Sequence, residues 1–382
     1  MSSDNRIPYL GTLRSEKTKG FALLAGLLAL LVSAGCGGGS TSVKEGPVAA
    51  SLGGTITAGT APSAIAVDST NNKIYVADFG SPQPSGIHLC LASGADIKVI
   101  DGATQSPTSV AFQFFDGALN PYAMTVSPTN HTFYVVAEQF EAFTSSCDFY
   151  EDGIFVFDTA SLTHTKTLGT LFGRGGGYSR IGTNPKTDSI YVAGDGAVDV
   201  WDSNGNLVAT IPVGSAPVGV AVNATSNKIY VANSFSNNIS VIDGASNTVV
   251  ATVTDPNAVA PVAVAINPTT NTIYVANSQS NNLTVIDGAT NTVMATFPVG
   301  TSPSDLDVDS QTNFIYVANA GNSQSGDPGN ITVINGVTNA TQTLTVPKAQ
   351  NPVAVAVNSA TNKIYVANSV SNNVTVINGA HD

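Results

Sequence analysis

Charged side chains are scarce in this sequence: Asp, Glu, Lys and Arg make up only 10% of its 382 residues. Gly, Asn, Thr, Ser, Val and Ala dominate instead, which is typical of short strands joined by tight polar turns and excludes a mainly helical protein. The 26 acidic residues outnumber the 14 basic ones, so the formal net charge is −12. Because an acidic surface repels phosphate backbones, we expect no nucleic-acid partner.

Histidine and cysteine, which often bind metals or take part in catalysis, are also rare, with four and three residues respectively. The four histidines are far apart in the sequence, at His88, His131, His164 and His381, and we do not expect them to converge on one metal. The sequence contains no Gly-x-Ser-x-Gly nucleophile elbow. Arg174-Gly175-Gly176-Gly177 precedes no helix, which makes it a flexible connection rather than a phosphate loop. We therefore expect no catalytic residues, no metal and no cofactor.

No hydrophobic run is long enough for a permanent membrane helix. The longest, from Phe21 to Val32, has 12 apolar residues and follows a basic segment, which is typical of an export signal. Ser33-Ala34-Gly35-Cys36 resembles a bacterial lipoprotein signal, which implies cleavage after residue 35 and lipidation of Cys36. Residues 36–48 would then form a Gly/Ser-rich tether to the membrane of the cell envelope. Ordinary cleavage that leaves Cys36 unmodified is the alternative.

The sequence is rich in one repeated pattern, Ile-Tyr-Val-Ala-Asn followed by a polar gap and Val-Ile-Asp-Gly. It occurs in seven copies, some with insertions, which gives a unit of about 40 residues. The copies are marked by Tyr75, Tyr134, Tyr191, Tyr230, Tyr274, Tyr316 and Tyr365. In the clearest copy, Pro217 to Ala260, turn residues separate four short apolar strands, which must be covered on both faces.

Radial stacking of four-stranded sheets provides such cover, so residues 49–382 are predicted to form an all-β, seven-bladed propeller. The Tyr-Val-Ala-Asn and Val-Ile-Asp-Gly sequences resemble the YVTN-type propeller repeat of prokaryotic surface proteins. The last copy lacks a fourth strand, whereas residues 53–59 match the fourth-strand pattern near the start of the chain. We expect this N-terminal strand to complete the last blade and close the ring.

Three insertions interrupt the repeats, at Asp78 to Asp96, Glu138 to Gly153 and Ala320 to Asn330. All three lie between the second and third strands of a blade. We call the face that carries these loops and the blade-to-blade connections the upper face. Irregular loops on a rigid scaffold are where binding usually takes place, so we expect recognition of a protein or small-molecule partner on the upper face.

The first two insertions contain one cysteine each, and equivalent loops of adjacent blades should be neighbours. We predict a disulfide between Cys90 and Cys147, since export places them in an oxidising compartment; a metal ligand or a reactive thiol is the alternative. The same region combines acidic and aromatic residues that could recognise a cationic or amphipathic partner, or bind Ca²⁺, although no calcium-loop spacing is present. These residues are Phe79, Phe140, Phe143, Asp148, Phe149, Tyr150 and Glu151. Solvated loops with self-packed aromatics are the alternative.

Charged residues also replace small ones on two innermost strands. Most copies have Ala or Gly near the start of the first strand, but the third has Arg180 and the sixth has Asp305 and Asp307. Blades three and six stand nearly opposite in a ring of seven. We expect these residues to form a polar site at the channel mouth with Tyr122 and Tyr178; an internal salt bridge that only stabilises the ring is the alternative.

The sequence therefore favours an exported, lipid-anchored propeller that acts as a binding or scaffold module through its upper face. A lactonase-like hydrolase or a propeller oxidoreductase that uses the channel mouth is the first alternative. A purely structural protein of the envelope is the second.

Overall fold

The computed structural model describes residues 48–80, 95–111, 118–127, 129–143, 146–170 and 180–381. These residues form 28 β-strands and no helix, and all strand pairs are antiparallel. The strands make seven four-stranded blades arranged in a ring. The predicted seven-bladed β-propeller is confirmed.

The first three blades match the repeat less closely than the fourth. Strand β1 (Ser51–Thr57) precedes them. Blade one contains β2 (Pro62–Asp68), β3 (Lys73–Asp78), β4 (Asp96–Asp101) and β5 (Pro107–Ala111). Blade two contains β6 (Ala118–Ser127), β7 (Thr132–Phe143), β8 (Ser146–Asp158) and β9 (His164–Thr170). Blade three contains β10 (Ile181–Asn184), β11 (Ser189–Gly194), β12 (Ala197–Trp201) and β13 (Leu207–Pro212). Blade four contains β14 (Pro217–Asn223), β15 (Lys228–Asn233), β16 (Asn238–Asp243) and β17 (Thr248–Val253).

The remaining blades follow the repeat closely. Blade five contains β18 (Pro261–Asn267), β19 (Thr272–Asn277), β20 (Asn282–Asp287) and β21 (Thr292–Pro298). Blade six contains β22 (Pro303–Asp309), β23 (Phe314–Asn319), β24 (Asn330–Asn335) and β25 (Thr341–Leu344). Blade seven contains β26 (Pro352–Asn358), β27 (Lys363–Asn368) and β28 (Asn373–Asn378), with β1 as its outermost strand.

The two ends of the chain close the ring, as the sequence predicts. Strand β1 pairs antiparallel with β28, from Ser51 opposite Asn378 to Thr57 opposite Asn373. The strand lies two residues earlier than the predicted range of 53–59. This pairing gives the last blade the same four strands as the others and joins its outer strand to the start of the propeller.

The hydrophobic core lies between the blades, which explains the Ile-Tyr-Val-Ala pattern. Because side chains alternate across a strand, Ile229 of β15 faces one neighbouring blade and Tyr230 faces the other. Ile229 packs with Tyr191 of blade three, and Tyr230 packs with Ile273 of blade five. The seven junctions contain one such buried cluster each.

Asparagine dominates the turns because it tolerates the left-handed backbone region. In blade four, Asn227, Asn237 and Asn247 have φ values of 54°, 52° and 53° in three successive turns. On the face opposite the upper face, asparagine side chains also join adjacent blades. Asn223 Nδ2 donates to Asn271 Oδ1 over 2.8 Å. Three further junctions repeat this asparagine clasp, with Asn184 to Asn227, Asn267 to Asn313, and Asn358 to Asn72.

The prediction of an irregular loop from Glu138 to Gly153 in blade two is wrong. Instead of an irregular loop, the insertion lengthens β7 and β8 into a paired hairpin that continues to Phe143 opposite Ser146. The insertion is therefore a two-stranded extension of the blade, held by backbone hydrogen bonds between β7 and β8. The sequence did not reveal this, because acidic and aromatic residues follow each other there without a clear period of two.

Candidate functional site

The predicted channel site brings Arg180 and Asp305 together. Arg180 lies immediately before β10 and Asp305 lies in β22, on blades that face each other across the ring. Arg180 Nη1 is 3.2 Å from Asp305 Oδ1, and Nη2 donates to the Ser304 carbonyl over 3.4 Å. The ion pair therefore links the innermost strands of blades three and six across the central channel.

Asp305 is almost fully buried by this arrangement. Its side chain is 10% exposed, and Oδ2 accepts a hydrogen bond of 2.9 Å from the backbone N–H of Val355 in β26. Burial raises the pKa of Asp305, while the positive charge of Arg180 and the backbone hydrogen bonds lower it in part. Both oxygens of this carboxylate are thus engaged inside the protein.

Asp307, two residues further along β22, repeats this bridge to the next blade. Its Oδ2 accepts from Val357 N over 2.8 Å, and its Oδ1 accepts from Val308 N over 2.8 Å. Burial raises the pKa of Asp307 to about 7, helped by the nearby charges of Asp305 and Asp309 and opposed by the two backbone hydrogen bonds.

Of the two tyrosines predicted at the channel mouth, the structure describes Tyr122. Tyr122 is partly buried and packs against the core cluster between blades two and three. Tyr178 lies outside the described residues. The described part of the channel contains an ion pair and two carboxylates held by backbone amides, and these contacts join blade six to blades three and seven.

On the upper face, the loops between second and third strands lie beside the blade-to-blade connections, as predicted. Loops between second and third strands bond to the connections that enter the same blade: Ser234 N donates to Ala216 O over 2.8 Å, and Ser278 N donates to Ala260 O over 2.8 Å. Phe79, at the root of the first insertion, is 36% exposed. The side chains of the other predicted partner residues, from Phe140 to Glu151, lie outside the described part of the structure.

Sequence reasoning missed three exposed apolar residues on the same face. Phe235, in the loop after β15, is 81% exposed, and Val370, in the loop after β27, is 60% exposed. Val259, in the connection from blade four to blade five, is 42% exposed. A comparison of the repeats could have found Phe235 and Val370, because blade five has Gln279 in the corresponding loop.

A groove opens on the upper face between blades six and seven. Its volume is about 490 Å³, and one wall is the blade-six loop of residues 320–329. The opposite side is formed by the connection at Gln350 and Asn351 and by Val370. The sequence indicated the loop as an insertion, but only the fold shows that it stands beside the blade-seven connection.

A second missed feature lies at the upper end of blade one. Blades four to seven end their second strand with a buried asparagine, whereas blade one has Asp78, which is fully buried. Asp78 lies opposite Asp96 where β3 pairs with β4, and Oδ1 of each is buried without a hydrogen-bond partner. Burial and the neighbouring carboxyl group of Asp96 raise the pKa of Asp78 to about 8, while the hydrogen bond from Gly59 N to Asp78 Oδ2 lowers it in part. Lys98 Nζ lies 2.5 Å from Asp96 Oδ2 and partly offsets the acidic charge. The aligned repeats contain this signal, an Asp in the place of Asn.

Several sequence predictions fall outside the described side chains. They are the lipidation of Cys36 and the disulfide between Cys90 and Cys147. Within the described ranges, no group of three or more His, Cys, Asp or Glu residues is placed to hold a metal ion. The same ranges contain no helix of the length and apolarity needed to cross a bilayer.

Comparisons with known proteins support the architecture. No family model matches the sequence, and no curated protein matches it either. Among solved structures, the chain is similar to one described as the crystal structure of the mitotic checkpoint complex, with a TM-score of 0.64. The alignment covers 94% of this chain and 100% of that chain at 14% sequence identity. Similarity at this identity extends to the fold alone, so the comparison supports the β-propeller fold and assigns no function.

Proposed function

We propose that this protein is a lipid-anchored, extracytoplasmic propeller of the YVTN-repeat type that binds a partner through its upper face. The observation that carries the proposal is the contrast between the two polar regions. The channel carboxylates are engaged by Arg180 and by backbone amides, whereas the upper face carries the insertions, the open groove and exposed apolar side chains. An exposed aromatic side chain on a rigid surface can anchor a protein partner when it becomes buried in a pocket of that partner.

Export and anchoring rest on the first 36 residues. The basic segment, the 12-residue apolar run and Cys36 support cleavage and lipidation. Mass spectrometry of the N-terminal peptide from the membrane fraction tests this, with a diacylglyceryl-modified Cys36 as the expected result. A Cys36→Ser variant should leave the membrane fraction; its retention there would contradict the anchor.

The partner experiment uses affinity capture from envelope extract with a protein that begins at Ser40. Removing residues 139–151 and joining Glu138 to Asp152 through an Asn-Gly turn keeps these two paired residues as the new hairpin end. We expect this shortened hairpin and Phe235→Ala to reduce capture. Replacing Arg180 and Asp305 together by Ala, the residue of most sister blades, should leave capture unchanged in folded protein.

A second candidate function rests on Asp307, whose pKa of about 7 would suit a general acid or base in a hydrolase. This alternative predicts the reverse of the binding experiment: Asp307→Asn would abolish turnover of a lactone or ester substrate, and the shortened hairpin would not. A folded Asp307→Asn variant with full partner capture would support the binding module.

A further inference from the structure

We propose that the groove between blades six and seven binds a neutral, hydroxyl-rich ligand, a saccharide chain. The assignment rests on the proposed function of the upper face and adds the chemical class of one ligand. With a volume of about 490 Å³, the groove lies within the roughly 300–1,000 Å³ range of small-molecule sites.

The wall formed by the blade-six loop is held in a fixed shape. Asn322 N donates to Asp327 O and Asp327 N donates to Asn322 O, each over 3.0 Å, which closes a small hairpin inside the loop. Gly321, Gly326 and Gly329 supply the positive φ values of 79°, 78° and 91° that this tight path requires. A groove with a preformed wall loses little entropy when it binds a ligand.

The same wall is attached to the blade-seven side of the groove. Asn351 N donates to the Pro328 carbonyl over 2.9 Å, and Asn351 Nδ2 donates to Ser369 Oγ over 2.7 Å. Both sides of the groove therefore belong to one hydrogen-bonded unit. A ligand in the groove would meet a constant spacing of polar groups.

The lining favours a neutral partner that both donates and accepts hydrogen bonds. Gln324 and Gln350 are exposed, and neither side-chain amide bonds to another described residue. Each amide offers two donors and an acceptor, which complements the hydroxyl groups of a sugar. Among the described residues that line the groove, Asp327 is the one with a charge, and none is Lys or Arg. The groove therefore disfavours phosphate, sulfate and uronate groups.

The composition argues against a protein as the occupant of this groove. Cores of protein interfaces are enriched in Tyr, Trp, Phe, Met and Arg, and the lining contains none of these residues. Its apolar surface is limited to small residues, Pro328 and the exposed Val370. These suit the C–H face of a sugar ring better than a large anchor side chain. The protein partner of the upper face would then contact other residues, such as Phe235.

The test measures binding of cellohexaose, xylohexaose and chitohexaose to the folded protein by calorimetry, with hexagalacturonate as the charged counterpart. At least one neutral oligosaccharide should bind, and hexagalacturonate should not. The double variant Gln324→Ala/Gln350→Ala should weaken that binding about tenfold, since two hydrogen-bonding amides are lost. Gln279→Ala, which removes another exposed amide on the same face outside the groove, should change it less than about twofold.

Each outcome separates this assignment from the proposed function. If no neutral oligosaccharide binds, or if Gln279→Ala weakens binding as much as the double variant, the groove is not a saccharide-binding site. If in addition the double variant reduces protein capture from envelope extract, the groove belongs to the protein interface and the binding module stands. Loss of neither activity in any upper-face variant would overturn both.

Discussion

Asp78 and Asp96 lie directly opposite each other at the upper end of blade one, and Oδ1 of each is buried without a hydrogen-bond partner. In blade five the corresponding contact is neutral, because Asn277 Nδ2 donates to Asn282 Oδ1 over 2.9 Å and to Thr284 Oγ1 over 2.9 Å. Two carboxyl groups can form a comparable hydrogen bond only by sharing one proton, because an ionised carboxylate has no donor. A protonated Asp78 thus takes the role of the asparagine in the sister blade.

We expect this pair to make the stability of the fold depend on pH. Burial and Asp96 raise the pKa of Asp78 from 3.8 to about 8, so the folded state binds the extra proton between those pH values. The stability that this proton contributes is fully present below about pH 4 and is lost as the pH rises towards 8. Above that pH, the contribution no longer changes. We expect urea unfolding to show lower stability at pH 8 than at pH 5.

Asp78→Asn should remove this dependence and stabilise the protein by about 1–3 kcal/mol at pH 7.5, since the amide donates to Asp96 without a bound proton. The reciprocal change, Asn277→Asp in blade five, should destabilise the fold and introduce a new pH dependence. Urea titrations at pH 5, 6.5 and 8 measure both. If Asp78→Asn is less stable than the wild type at pH 7.5, the shared proton is wrong.

The asparagine clasp predicts a second stabilising change, at the junction of blades six and seven. Asp309 occupies the position of the donor asparagine, and its Oδ2 and the Oδ1 of Asn362 are both buried without a hydrogen-bond partner. Asp309→Asn supplies the missing Nδ2 donor, so we expect a gain of about 1 kcal/mol in the free energy of unfolding.

The matched control for that change is Asn267→Asp, which removes the donor from the intact clasp with Asn313. It should lower stability by a similar or larger amount, because a buried acceptor then faces a carboxylate. Thermal unfolding of the two variants at one pH measures the pair. Destabilisation by Asp309→Asn would show that Asn362 is satisfied in another way.

The fold could be predicted from the sequence because each blade repeats the same pattern of apolar strand residues and turn residues. The Ile-Tyr-Val-Ala pattern sets which side chains face each neighbour, and the asparagines set the turns. The strand near Ile56 was recognisable because it matched the strand that blade seven lacked. The prediction missed the hairpin from Glu138 to Gly153, since long strand pairs there depend on register and not on composition.

The candidate site was only partly predictable. Contact between Arg180 and Asp305 followed from ring geometry once seven blades were assumed. The backbone amides of Val355 and Val357 as partners of the two aspartates did not follow, because they depend on how closely β22 approaches β26. The groove beside Gln350 likewise needs the relative position of two loops, which sequence spacing does not give.

The Arg180–Asp305 ion pair predicts a marked difference between single and double variants. Arg180→Ala leaves the carboxylate of Asp305 buried without its counter-charge, so we expect a loss of roughly 2–3 kcal/mol, less than for a fully buried pair because Arg180 is about one-third exposed. Adding Asp305→Asn keeps an acceptor for Val355 N and removes the charge, so the double variant should recover part of the loss. A double-mutant cycle by urea unfolding measures the coupling; strictly additive effects would exclude an energetic link between the two blades.

Closure of the ring by β1 gives the last prediction. Ile56 is buried at 6% exposure against blades seven and one, whereas Leu52 of the same strand is 43% exposed. Ile56→Ala should cost about 2–4 kcal/mol through lost burial and the cavity left behind. Leu52→Ala should cost less than about 0.5 kcal/mol, as is usual for surface positions. Hydrogen exchange should then show faster opening of β28, the strand paired with β1, in the Ile56 variant. If both variants are equally mild and β28 stays protected, β1 does not hold the ring closed in solution.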